Sequence, residues 1–426
     1  MDRRDFMRLA GLAGLALVPG ASHHARAGWA TSGKPPTSNH VYEGPLWVFV
    51  NASGGWDQTM LCDPKGRENE EELDPVNNYF TDEIGSAGNL LYAPVGYNEV
   101  FFQKYYQDLL VINGIDMQTN GHDSGSRHCW SGRLVEGFPS LAALVAAQAD
   151  PGLPMAYLSF GGYDLTAGLV ARTRSGNVNA LGRIAHPDRI DPNDPGSNFH
   201  SSAAQELITQ ARTGRREHLL VEAGLPAERE AMSQMFTASG GANELKLLQE
   251  FLPDTLSDQP IHRQAQVALA AYRAGICASV NINYGGFDTH GNHDDSHSAR
   301  LYTLMEGVDL LMQEAEALGV ADKLIVVMGS DFGRTPTYND NNGKDHWSVS
   351  SMLLMGQGIS GNRVVGATTH KVQPLTVNAG SLALDEGGVR IRPEHIHAAL
   401  RDHAGLGEDL AARFPLNPAE SLALLG

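Results

Sequence analysis

The sequence predicts an α/β protein with a mostly parallel, doubly wound sheet sandwiched by helices, and with a helical insertion or cap. Three observations predict it. Four apolar runs, within "GPLWVFVNASGGWD", "DLLVINGI", "ASVNINYGG" and "KLIVVMGS", each lead into a polar or glycine-bearing loop, the pattern of buried strands. Between the last two runs, Leu301, Leu304, Met305, Val308, Leu311 and Met312 recur at helical spacing. Apolar strands alternating with amphipathic helices imply a parallel sheet covered on both faces, and 426 residues, 42% of them hydrophobic, are enough to bury that core.

Taken in order, residues 1–27 read as an address. A charged start precedes the apolar stretch Leu9 to Val18, and Ala25-Arg26-Ala27 closes it as a cleavage site would. Arg3-Arg4 followed by Phe6-Met7 resembles the twin-arginine export signal, with Asp2 where that signal has Ser or Thr. The stretch is too short for a stable membrane anchor. The expectation is a periplasmic or secreted protein, handed to the twin-arginine translocation machinery, whose residues 28–426 form one α/β domain.

The first strand, Leu46 to Val50, ends in a glycine turn carrying Asp57, and the second runs into "DMQTNGHDSGSRHCWSGR". Residues 185–270, rich in Ala, Glu, Arg and Gln, read as the helical insertion or cap. The last two strands lead into "FDTHGNHDDSHSAR" and "DFGRTPTYNDNNGKDHW". "GQGISG", Gly356 to Gly361, matches a dinucleotide-binding spacing, but β-branched residues follow it instead of a helix, so it reads as a surface loop.

Charge and cysteine content exclude several classes. The net charge is −18, and four arginines against two aspartates in the first 27 residues leave −20 for the rest. Nucleic acid is excluded as a partner, since the one dense basic run, "RTGRREH", reads as a solvated helix face. Cys62, Cys129 and Cys277 permit at most one disulfide and can neither ligate an iron–sulfur cluster by themselves nor attach haem.

Ligands of open α/β sheets bind at the carboxyl ends of the strands, and the polar residues of this chain collect there. Asp57, Asp288, His290, His293, Asp331 and His346 are the candidate metal ligands, being the residue types that oxygen- and nitrogen-liganded sites need from several elements. Asp288 and His290, two apart, face the same side of an extended segment, and His293 replaces or joins His290. Asp294, Asp295 and His297 read instead as a solvated helix N-terminus. Asp331 leaves its strand where a carboxylate needs a partner or a metal; Arg334 either pairs with it or holds an anionic substrate, a task Arg127 can share. Ser124 is the candidate nucleophile, at a helix start where an anion is also held, with Ser126 as competitor and His122 beside it. The alternative is that Ser124 or Asp123 caps that helix. Cys129 in "CWSGR" resembles the sulfatase C-x-P-x-R signature only in part, because Ser131 stands in place of proline.

"GGWD", "GFDTHGN", "SDFGRTP" and "DHW", in this order, resemble the domain of unknown function 1501 family of the alkaline phosphatase-like superfamily. The resemblance runs over nearly all of residues 28–426. It implies a site at the strand ends with one or two divalent ions: Asp57 and Asp331 on one, Asp288, His290 or His293, and His346 on another, and Ser124 as nucleophile. Two residues depart from the pattern. Phe332 follows Asp331 where superfamily phosphatases often have His, and Asp331 stands where family members commonly have Glu. The expected function is an exported metal-dependent hydrolase of a small anionic ester, phosphate or sulfate, with zinc first and calcium, manganese or magnesium as other ions. The alternatives are a non-hydrolytic exported metal- or glycan-binding protein on the same fold, and a metal-dependent oxidoreductase or lyase.

Overall fold

The computed structural model describes residues 41–174, 186–191, 194–241, 248, 250–416 and 420–426. Residues 1–27, read from the sequence as an export signal, lie outside them. The strands are β1 (Leu46–Ser53), β2 (Gly85–Ala87), β3 (Leu90–Tyr92), β4 (Leu109–Asp116), β5 (Tyr157–Ser159), β6 (Arg172–Arg174), β7 (Ser279–Gly285), β8 (Leu324–Ser330), β9 (Gly333–Arg334), β10 (His346–Trp347), β11 (Val349–Gly356) and β12 (Arg363–Val365). Eight of them form one sheet in the order β12-β4-β11-β8-β1-β7-β5-β6. All its neighbouring pairs are parallel except the two that β11 makes, with β4 and β8. The four predicted strands are β1, β4, β7 and β8. The antiparallel β11 contains the apolar "SMLLM", whose local pattern carries no information about direction.

Strand alternation explains the two-sided core. Leu46, Val48, Val50 and Ala52 of β1 pack into one apolar cluster, while Trp47 and Phe49 point into the other. The first cluster is completed by helices α1 (Asn98–Tyr105), α6 (Pro260–Arg273) and α7 (His293–Ala317). The second takes α2 (His122–Ser131), α3 (Leu141–Ala149) and α8 (Pro393–His403). A sheet buried on both faces needs continuous apolar strands, and β1, β4 and β8 are buried almost throughout.

Two further helices, α4 (Ser202–Glu222) and α5 (Pro226–Gly241), pack on one another, and α4 has no buried residue. Within the stretch 185–270, α6 differs from these two. Pro260 pre-sets its first turn, Gln259 caps it by accepting from the His262 N–H, and its apolar face lies against β7 and α7. It therefore belongs to the layers of the sandwich.

Because β1, β4, β7 and β8 are parallel, their C-terminal ends share one edge of the sheet, and the antiparallel β11 starts at that edge. Residues scattered from Asp57 to His346 meet there.

Candidate functional site

At the end of β1 the chain turns through Gly54 and Gly55, both at positive φ (120° and 85°). A Cβ on Gly54 would stand 2.6 Å from the Asp288 backbone nitrogen, so only glycine lets this turn lie against the end of β7. The Gly54 N–H donates to Asp331 Oδ2 at 3.1 Å. After β4, a short loop leads to α2, whose first residue is His122. Beyond β8, β9 and β10 pair as a small antiparallel ribbon that sets His346 opposite Arg334.

Four side chains converge at the solvent-facing edge. His346 Nε2 lies 3.0 Å from Asp288 Oδ1 and 3.0 Å from His290 Nε2. His290 Nε2 is 3.0 Å from the same Asp288 oxygen, and His122 Nε2 is 3.4 Å from Asp288 Oδ2. His122, Asp288 and His346 offer ligand atoms that all lie within 4.8 Å of one another. The other ring nitrogens are committed elsewhere: His346 Nδ1 to the Asn120 carbonyl at 2.8 Å, His290 Nδ1 to Asp345 at 2.7 Å, and His122 Nδ1 to Asp331 at 2.9 Å. A carbonyl and carboxylates only accept, so each Nδ1 carries a proton, and in its neutral form each ring turns the lone pair of Nε2 toward Asp288. Lone pairs and a carboxylate held about 3 Å apart repel unless a proton or a cation lies among them.

The surroundings hold this arrangement. Phe332 backs the imidazoles of His122 and His346, with ring centroids 4.9 and 4.5 Å away. Hydrogen bonding to Asp331 raises the His122 pKa above its ordinary value, against burial. Burial alone would raise the Asp288 carboxyl, but the bond and charge of Arg334 lead the opposing influences that lower it to about 2. Asp345 is likewise lowered, chiefly by its bond to His290. Asp331 is buried, and its Oδ1 has no hydrogen-bond partner.

A second cluster lies in the interior, with Asp57, His293, His297 and Lys344 all buried to 0% exposure. Lys344 Nζ is 2.6 Å from Asp57 Oδ2, 2.8 Å from Asn77 Oδ1 and 3.5 Å from Thr59 Oγ1, so its three donors have three acceptors. The other Asp57 oxygen accepts from the Thr59 N–H and hydroxyl. The Asp57 N–H must donate to His297 Nε2 at 2.8 Å, which puts the His297 proton on Nδ1, facing Thr289 Oγ1 at 3.0 Å. Thr289 can then donate to His293 Nδ1 at 2.7 Å, and His293 Nε2–H closes the ring on Asp57 at 3.1 Å. One unambiguous backbone donor thus sets every proton in the ring. Burial lowers the pKa of both histidines, well below the ordinary value for His297, and keeps them neutral. Burial opposes the Asp57 charge too, yet Lys344 and His293 outweigh it and hold the carboxyl well below its usual range.

The predicted site residues therefore divide. The structure brings Asp288, His290 and His346 together with His122, and sets Asp331 behind His122. Asp57 and His293, read as metal ligands, are instead spent on Lys344 and the histidine ring. His297, read as part of a solvated helix end, is fully buried, and Asp294 accepts from Asn78 and Tyr338. Arg334, read as an anion holder or the partner of Asp331, is fully buried and donates to Asp288 Oδ1 at 2.7 Å and to the carbonyls of Gly54, Gly55 and Lys344. Ser124 bonds to Thr119 Oγ1 at 2.6 Å and to the Gly121 carbonyl at 3.1 Å, and neither bond reaches the histidine cluster. Arg127 turns to Leu134 and Glu136. Cys129 is buried, as are Cys62 and Cys277, and all three are free thiols. Lys344, Asp345 and the Asn120 carbonyl were missed. "GKDHWS" reads as a polar loop, and nothing local shows that its lysine points inward.

The family described as a protein of unknown function (DUF1501) matches residues 159–379, which hold Asp288, His290, Lys344 and His346 but not Asp57 or His122. No curated protein matches the sequence. Among solved structures, lipoteichoic acid synthase LtaP from Listeria monocytogenes is 6% identical with a TM-score of 0.39, over 98% of this chain and 80% of that one. The PsFucS1 sulfatase from Pseudoalteromonas sp. is 9% identical with a TM-score of 0.39, over 90% and 72%. A mutant of TAB5 alkaline phosphatase with Mg bound in its M3 site is 8% identical with a TM-score of 0.33, over 76% and 94%. Likeness at these scores carries no argument about chemistry.

Proposed function

Because this chain belongs to the DUF1501 family, whose description assigns no chemistry, we propose from the site itself that it is a metal-dependent hydrolase of phosphate or sulfate esters. The export reading of residues 1–27 places that activity in the periplasm or outside the cell. One observation carries the proposal: three imidazoles, each tied through Nδ1 to an oxygen, turn Nε2 toward the Asp288 carboxylate.

The donor set fits a divalent ion. Zinc bonds of about 2.0–2.1 Å in tetrahedral geometry set neighbouring donors about 3.3 Å apart, close to the separations of 3.0 to 3.4 Å here. Three imidazoles with one carboxylate suit zinc better than calcium or magnesium, which take oxygen. His122, Asp288 and His346, whose ligand atoms lie within 4.8 Å of one another, would hold it, with His290 beside them 3.0 Å from Asp288 and His346. A divalent ion supplies charge to polarise an ester oxygen and lowers the pKa of water toward neutrality. Around it, Arg334 pins Asp288 from the buried side, and Asp331, Asp345 and the Asn120 carbonyl fix the three tautomers, as supports of metal-binding histidines do. The reading takes water as the nucleophile, since Ser124 is bonded away from the cluster.

A second reading, a metal-binding protein that hydrolyses nothing, is favoured by those same bonds of Ser124 and by the burial of Arg334, whose four bonds all go to the chain itself. Elemental mass spectrometry of the purified protein and of an Asp288→Ala, His346→Ala double variant, followed by a panel of phosphate and sulfate esters, separates the two. About one equivalent of metal, lost in the variant together with ester hydrolysis, is the expected result. Metal without turnover replaces the hydrolase with the binding protein. Absence of metal from both proteins overturns both readings.

A further inference from the structure

A cavity of about 620 Å³ opens directly beside the histidine cluster. Asp288 and His290 line one end, Ser296, Arg300 and Thr303 of α7 the other, and Tyr284 from the end of β7 forms part of the wall. The volume suits a ligand of small-molecule size. Arg300 is exposed yet held in place. Its NH1 donates to the Tyr284 hydroxyl at 2.9 Å, and its guanidinium carbon lies 5.5 Å from the centre of that ring. Gly286 makes room for it: at φ 96°, a Cβ there would stand 2.6 Å from Arg300 Nε.

The remaining donors of Arg300 face no carboxylate of the described chain, as is true of Arg273 and Arg413 too, but Arg300 alone of these three lines the cavity beside the histidine cluster. Arg127, Arg172, Arg174 and Arg334 each have a carboxylate within 4.0 Å, whereas among the described residues Arg300 has none. A planar, permanently charged fork, held against a tyrosine and lining a cavity, is suited to take a carboxylate, phosphate or sulfate. In a chain of net charge −18, such a spot stands out locally.

We propose that Arg300, ordered by Tyr284 and Gly286, is a second oxyanion subsite, so that the preferred substrate is an ester with another acidic group at the far end of its leaving group. The proposal rests on the hydrolase reading for the role of the first end. The subsite itself is a matter of binding and is tested without turnover.

The test compares butylphosphonate, with one anionic end, and 4-phosphonobutyrate, with two, by titration calorimetry on zinc-loaded protein. Neither can be hydrolysed. The two-ended probe is expected to bind about tenfold tighter, the size of one partly solvated charge-assisted contact. In Arg300→Gln this ratio falls to near one, Arg300→Lys keeps part of it, and Gly286→Ala reduces it by displacing the guanidinium. Circular dichroism checks folding, with little change expected for the exposed Arg300. Equal binding by the wild type, or a ratio that survives Arg300→Gln, overturns the subsite. If butylphosphonate binds without any preference, the subsite fails and the metal reading stands. If neither probe binds, both fail. An Arg300-dependent ratio in a protein that hydrolyses no ester upholds the subsite and rejects the hydrolase.

Discussion

Asp288 and Asp57 each face histidines and a cationic side chain at the same edge of the sheet, yet one carboxylate is 44% exposed and the other 0%. Around Asp57 every donor has an acceptor: Lys344 supplies a fixed charge, and the His297–Thr289–His293 ring runs in one consistent direction. Around Asp288 the buried Arg334 supplies charge from one side only, and three ring nitrogens face the carboxylate without a proton to share. The same residue types thus give a closed electrostatic unit in one place and an open one in the other. A buried carboxylate must be fully paired by the chain itself, whereas an exposed one can wait for an ion.

Breaking the closed unit has the largest expected effect. Lys344→Met leaves Asp57 buried without its ammonium, and removal of one partner from a buried pair costs about 3–5 kcal/mol. Urea unfolding of the metal-free protein should show that loss. The double variant Asp57→Asn, Lys344→Met should recover part of it, because no charge is then stranded. An additive double variant would mean that the pair does not interact as the 2.6 Å contact implies.

Weakening the open unit should cost function with little stability. Asp345→Asn removes the carboxylate behind His290, and loss of such a support lowers metal affinity about 10- to 100-fold. Asp345 is exposed, so the melting temperature of the metal-free protein should hardly move. Competition with a zinc-binding dye measures the first effect and calorimetry the second. A fall in stability with unchanged affinity would make the His290–Asp345 pair a structural contact.

The contrast also explains what was legible in the sequence. Strand runs such as "GPLWVFV" and "KLIVVMGS" are readable because full burial demands continuous apolar residues, and the strand-end location of Asp288, His290, Asp331 and His346 follows from them. Burial of a polar side chain leaves no such mark. "HGNHDDSHS" shows one texture, although His290 is exposed while His293 and His297 are enclosed. What separates them is α7, which starts at His293 and turns positions 293 and 297, one helical turn apart, toward Asp57. Lys344 was hidden for the same reason, since a lysine in a polar loop reads as solvated until its partner is known. The direction of β11 depends on its neighbours and not on its own residues.

The smallest expected effect concerns pH, and it sharpens the contrast in sign. His293 and His297 have pKa values lowered by burial, so the unfolded chain binds more protons than the folded one below the ordinary histidine pKa of about 6.5. Stability of the metal-free protein is therefore full above that value and falls as pH drops through it, by at most about 1.4 kcal/mol per pH unit for each histidine kept neutral. His122 works in the opposite sense: its pKa is raised, so its contribution is present in acid and is lost as pH rises through its folded value. His122 is half-exposed and its share is correspondingly smaller. Urea titrations from pH 7.5 to 5.5 should thus show a net loss of stability, and His297→Gln should reduce the slope by up to about half whatever it does to stability at pH 7.5. An unchanged slope would mean that His297 takes up its proton in the folded state, and a proton on Nε2 cannot coexist with the bond this nitrogen accepts from Asp57.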